Sequence, residues 1–157
     1  MARRRFPALP GVEYPLLFNG LHIKDHSVEP PTEGTAYPIY LASTDGDGNS
    51  RGGLCDPLLV APVATLTGWM MRANGYAEGE LYSIAGAQFP FAQTLEERTR
   101  TGDPRPSLQE RYVSPEAWAA AMKTAADTLV AQRLLLPEDA EKFASAARKG
   151  WVLANFA

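Results

Sequence analysis

One cysteine, Cys55, and two histidines, His22 and His26, are all that 157 residues offer of the side chains that most often carry nucleophilic or metal chemistry. A lone cysteine excludes a disulfide within these residues, and such sparing use fits a reducing compartment such as the cytoplasm. Tetrahedral zinc needs its Cys and His ligands at set spacings, which these three residues do not have. Long apolar runs are also missing. No stretch approaches the roughly 20 residues of a membrane-spanning helix, so no membrane partner is expected. The basic start, Arg3-Arg4-Arg5, leads into Pro7, Pro10 and Gly11 rather than an apolar segment, so a secretory signal is not expected. Apart from this solvated tail there is no basic cluster, and the formal charge is −3, which speaks against a nucleic-acid partner.

What is present is an ordinary apolar content of 45%, enough for a core, and 13 each of proline and glycine. These breakers crowd the chain before Pro106 and thin out after it, which divides the sequence into an irregular first two-thirds and a helical last third. The expected organisation is a proline-rich extended arm over 1–36, an irregular β region over 37–93 and a helical region over 94–157, packed as one unit. The arm is expected to wrap over a neighbour, with Leu16, Leu17, Phe18, Leu21 and Ile23 against a core.

Tyr37–Ala42 is rich in β-formers and predicts a strand, and Asp45-Gly46-Asp47-Gly48-Asn49 reads as the turn of a hairpin near 37–65. Leu54–Leu66, broken by Pro57 and Pro62, reads as extended and irregular. Thr94 with Glu97 and Ser107 with Glu110 have capping-box spacing for two short helices, the first ended by Gly102. Ser114-Pro115 places a cap and an N1 proline before Trp118, Met122, Ala125 and Leu129, a stripe at helical spacing. Pro137 ends that helix and opens another through Lys149, with Ala140, Phe143, Ala144 and Ala147 inward and Gly150 as the stop. The fold class expected is therefore α+β: an irregular extended region with a β-hairpin packed against a C-terminal helical hairpin. Trp69, Phe89, Phe91, Trp118, Leu129 and Phe143 are the expected core.

Tested for chemistry, each candidate falls short. A nucleophile elbow needs G-x-S-x-G, and Ser83, in Glu80-Leu-Tyr-Ser-Ile-Ala-Gly86, lacks both glycines in the required places. His22 and His26 lie in the arm with no local nucleophile to serve. Cys55 is followed by Asp56, whose charge opposes thiolate formation. Asp45, Asp47 and Asn49 have the first spacings of a calcium loop, but the glycine at its sixth position and the glutamate at its twelfth are replaced by Ser50 and Asp56, so a hairpin turn is the better reading. Glu78 and Glu80 alternate and would share a strand face. No phosphate loop is present. These readings lead to no catalytic residue, no cofactor-binding residue, no metal ligand and no cofactor.

Three segments in order carry more information than any single motif. The first is Tyr37-Pro-Ile-Tyr-Leu-Ala42 with Asp45-Gly-Asp-Gly-Asn49. The second is Val60-Ala-Pro-Val-Ala-Thr-Leu-Thr-Gly-Trp69. The third runs from Pro90-Phe-Ala-Gln-Thr94 through Glu97-Arg98 and Gly102-Asp-Pro-Arg-Pro-Ser-Leu108 to Glu110-Arg-Tyr112, and ends in Leu129–Ala140 with Leu134-Leu-Leu-Pro-Glu-Asp-Ala140. Together with Leu9-Pro-Gly-Val-Glu-Tyr-Pro15, they resemble the C-terminal region of the α/β-hydrolase domain-containing proteins, over nearly the whole chain. Leu66 stands where relatives tend to carry an aromatic, and Met70 where they carry Asn. The resemblance implies a relation to esterase-like hydrolases, in which the serine elbow lies upstream of this region. No family catalytic residue therefore maps to a numbered position here. The expectation is an accessory region of an esterase-type hydrolase, not catalytic alone, whose partner is a catalytic half or a second copy. The alternatives are an independent interaction module that has lost the chemistry, or a small hydrolase using His22 or His26.

Overall fold

The computed structural model describes residues 6–14, 21–37 and 40–148. Its strands are short and pair antiparallel in twos: β1 (His22–Asp25) with β2 (Thr32–Ala36), β3 (Ala64–Thr67) with β6 (Ala87–Pro90), and β4 (Met70–Met71) with β5 (Leu81–Tyr82). The last two pairs nest. β3 runs into β4, and the chain returns through β5 into β6, so they form one long hairpin from Ala64 to Pro90, interrupted at 68–69 and 83–86. Gly86 sits at that interruption because nothing larger fits: a Cβ there would lie 2.3 Å from the Thr67 carbonyl oxygen.

Helices supply the rest. α1 (Pro57–Val60) is a single turn capped by the Asp56 carboxylate, which accepts from Leu58 N–H at 2.8 Å. It falls within the apolar run read as extended; the Asp-Pro start makes a helical turn there. α2 (Leu95–Thr101) is capped by Thr94, and Glu97 reaches back one residue further than expected, to Gln93 N–H at 2.7 Å. It stops at Gly102, whose φ of 65° belongs to the left-handed region that glycine enters freely. α3 (Leu108–Arg111) has the complete Ser107–Glu110 capping box. α4 (Pro115–Ala131) and α5 (Pro137–Ala147) form the helical hairpin, each opened by proline.

A seven-residue cluster forms the core where the hairpin layer meets the helices: Ala61, Val63, Phe91, Leu108, Trp118, Met122 and Ala147. The α4 stripe is buried as its spacing requires, from Trp118 through Leu129. Of the expected core, Phe91, Trp118 and Leu129 are buried, while Trp69, Phe89 and Phe143 are half-buried. Trp69 instead anchors an aromatic cluster with the arm. Phe6 and Tyr14 stack at 4.6 Å, and both meet the Trp69 ring edge-on. Thus 6–14 packs on its own chain.

The α+β class with short antiparallel strands holds, but the hairpins sit elsewhere than expected. Tyr37 and Tyr40 are exposed and outside any strand. The turn over 45–49 is closed by Asp45 N–H on Asn49 O at 2.9 Å and flanked by a bridge between Thr44 and Ser50, with no strand pair extending from it among the described residues. A hairpin forms earlier instead, in the stretch read as a proline-rich extended arm, and every residue of β1 and β2 is exposed. Without a buried face it shows no apolar alternation to read. Leu21 and Ile23 are exposed rather than packed on a core. Leu16–Phe18, Pro38, Ile39, Lys149 and Gly150 lie outside the described residues.

Candidate functional site

The side chains singled out for chemistry are held apart. Ser83 is exposed at the hairpin interruption. His22, on β1, has the Glu33 carboxylate as its ionic neighbour at 3.7 Å, and Glu33 is already taken by Lys24 at 2.7 Å. His26 is exposed in the β1–β2 turn. None of these groups shares a hydrogen bond with another among the described residues, as a nucleophile and its base must. Glu78 and Glu80 lie in the β4–β5 loop, not on one strand face. Tyr14 and Tyr112 donate their hydroxyls to the carbonyls of Pro7 and Pro62. Burial pushes both up to about 12, so neither gives up a proton near neutrality.

The Asp45–Asn49 turn is structural in every group. Asp45 Oδ1 accepts from the N–H groups of Asp47 and Asn49, both at 2.9 Å. Asp47 pairs with Arg111. Asn49 is buried, donating to Ala64 O at 3.2 Å and accepting from Leu66 N–H at 2.7 Å. Among the described residues no group of three His, Cys, Asp or Glu side chains is placed to hold a metal ion.

The densest polar constellation grows from Asp103-Pro104-Arg105-Pro106-Ser107, which the sequence presented only as a rigid turn. The Arg105 and Asp103 side chains are 2% and 3% exposed. Arg105 spends its guanidinium completely: Nε–H and one Nη2 donor go to the Asp103 carboxylate, Nη1 goes to Thr65 Oγ1 and Phe89 O, and Nη2 also reaches Pro90 O, all within 2.7–3.1 Å. Five donors meet five acceptors, so none is left for a ligand. Two cations lie over the Phe91 ring, Arg105 at 5.0 Å and Arg111 at 4.3 Å from its centroid. At Asp103, burial favours the neutral acid. The hydrogen bonds from Arg105 and the charges of Arg105 and Arg98 outweigh it and hold the carboxyl below its usual value. The network is a clamp joining β3, β6 and the α2–α3 loop. Its sequence signal was an arginine between two prolines, two residues after an aspartate.

A groove of 560 Å³ lies along the seam between α1 and α4. Leu54, Val60, Ala121, Ala125 and Leu129 line it, with the half-buried Cys55. Its polar groups are neutral: Thr124, Thr128 and Gln132. Both threonine hydroxyls donate to helix carbonyls one turn back, so their protons are already taken within α4. Leu54 and Val60 stand 57% and 58% exposed on its rim.

No helix of the described residues is long and apolar enough to cross a membrane. No curated protein and no solved structure matches the chain. A family model described as alpha/beta hydrolase domain matches residues 23–145, a span that runs from β1 into α5 and contains both the Arg105 clamp and the groove. On that match the chain belongs to the alpha/beta hydrolase domain family.

Proposed function

We propose that these residues form the C-terminal accessory region of an esterase-type hydrolase, seated against the part that carries the serine nucleophile and contributing no catalytic group itself. The observation that carries this reading is the uncharged groove between α1 and α4, with Leu54 and Val60 exposed at its rim. Apolar side chains gathered around one concave surface favour a partner over water. The clamp supports the same reading, because its buried charges brace the hairpin layer behind the core and leave no donor for a substrate. The occupant is the catalytic part of the hydrolase, not nucleic acid or membrane, and a reducing cytoplasm suits the free Cys55.

A fluorophosphonate probe, which labels activated serines, tests the proposal. The purified chain is expected to take up no label and to leave p-nitrophenyl butyrate intact. Expressed in its source cell, it is expected to co-purify with a fluorophosphonate-reactive polypeptide, and Leu54→Ser with Val60→Ser should release it. Labelling of the chain itself, or ester cleavage lost on His22→Ala or His26→Ala, would overturn the accessory role in favour of a small hydrolase. Co-purification with no serine-reactive polypeptide would favour an independent interaction module.

A further inference from the structure

An asparagine followed by glycine can close a ring on its own backbone, because glycine puts no side chain in the way of the attacking nitrogen. The chain has two such pairs: Asn19-Gly20, outside the described residues, and Asn74-Gly75, in the loop between β4 and β5. Asn74 and Gly75 are both exposed, in a turn closed by Tyr76 N–H on Ala73 O at 3.1 Å. Gly75 has a φ of 83°, with open space where a Cβ would stand. Among the described residues nothing accepts from the Gly75 N–H. Asn49 is the internal contrast. It is buried, its carboxamide is bonded on both sides, and Ser50 follows it.

We infer that Asn74 is a site of covalent self-modification in which water is the only co-reactant. The Gly75 backbone nitrogen attacks Asn74 Cγ, the N–Cγ bond forms, and the Cγ–Nδ2 bond breaks. Ammonia leaves with the proton that Gly75 N–H gives up, and a five-membered imide remains. Water then opens the imide at either carbonyl, giving aspartate at one and isoaspartate at the other. Nothing is oxidised or reduced. Either product adds a negative charge to a loop that already carries Glu78 and Glu80 beside Arg72. Isoaspartate also lengthens the main chain by one methylene inside the turn that Tyr76 N–H closes on Ala73 O.

The full chain is incubated in neutral buffer made with heavy-oxygen water, digested with an acid-active protease, and mapped by mass spectrometry. The peptide containing residue 74 is expected to exchange its amide for a carboxyl bearing one heavy oxygen. It should appear as two isomers, isoaspartate and aspartate, while the Asn49 peptide stays unchanged. Asn74→Ser should abolish the exchange at this peptide, and mapping separates it from any change at Asn19. An intact Asn74, after a time in which a synthetic peptide spanning residues 72–80 has converted, would overturn the inference. So would aspartate formed without isoaspartate.

Discussion

Arg105 donates five side-chain hydrogen bonds from a buried position, and its removal has a definite sign. Arg105→Ala leaves the Asp103 carboxylate buried without its partner, a situation that typically costs about 3–5 kcal/mol. Urea titration should show a loss of that size, whereas Arg105→Met, which refills the volume beside Phe91, paired with Asp103→Asn should recover part of it. An Arg105→Ala variant as stable as the parent would mean that the carboxylate reaches water in solution. The pH dependence follows from the same pair. The folded-state value of Asp103 is lowered, so the unfolded chain takes up the proton first as pH falls. The stabilisation is complete above the ordinary carboxylate value and is lost as pH drops through the lowered one. Asp103→Asn should therefore flatten the acid limb of the stability curve and leave the neutral limb parallel to the parent's. Little of this was legible from the sequence, because three of the five acceptors of Arg105 belong to Thr65, Phe89 and Pro90, set by a fold that brings segments up to 40 positions apart together. Only the Asp103–Arg105 spacing was local enough to see.

At the level of elements, legibility tracked how local the determinants are. α4 and α5 were readable because Ser114-Pro115 and Pro137 set their starts and a stripe at helical spacing sets the buried face. The strands were not. β3 meets β6 across a long intervening excursion, each has four residues, and β1 and β2 bury no face. The β-propensity of Tyr37–Ala42 does not put Tyr37 or Tyr40 in a strand, because propensity reports fit to a half-buried surface and these two side chains are exposed. The link between helices and hairpin layer is Trp118. This residue is 2% exposed, and its Nε1–H donates to Ala61 O at 2.9 Å, just after α1. Trp118→Ala removes both packing and donor and should cost roughly 3–5 kcal/mol, a large share of the 5–15 kcal/mol that holds a typical domain folded. A thermal midpoint equal to the parent's would show that α4 does not depend on this contact. Trp118→Phe keeps most of the packing but strips Ala61 O of its partner, so it should fall between the two.

Taken as a whole, the molecule divides into a braced body and an unsupported projection, and that division predicts how it opens. The body holds the seven-residue core, the Arg105 clamp and the α4–α5 hairpin. The β1–β2 hairpin buries nothing, and an isolated two-stranded ribbon is marginal in water. Local opening there costs far less than global unfolding. Hydrogen exchange at neutral pH should find the amides of β1 and β2 exchanging orders of magnitude faster than those of α4 between Trp118 and Leu129. Equal protection in both would mean that the ribbon unfolds only with the body. The same measurement bears on docking, since a partner seated on the groove should slow exchange along α1 and the side of α4 that borders it, where Val60 and Thr128 now face solvent. If co-expression with a serine-reactive polypeptide leaves those amides unchanged and protects the ribbon instead, the exposed strands and not the groove form the contact. The apolar rim at Leu54 would then need another explanation.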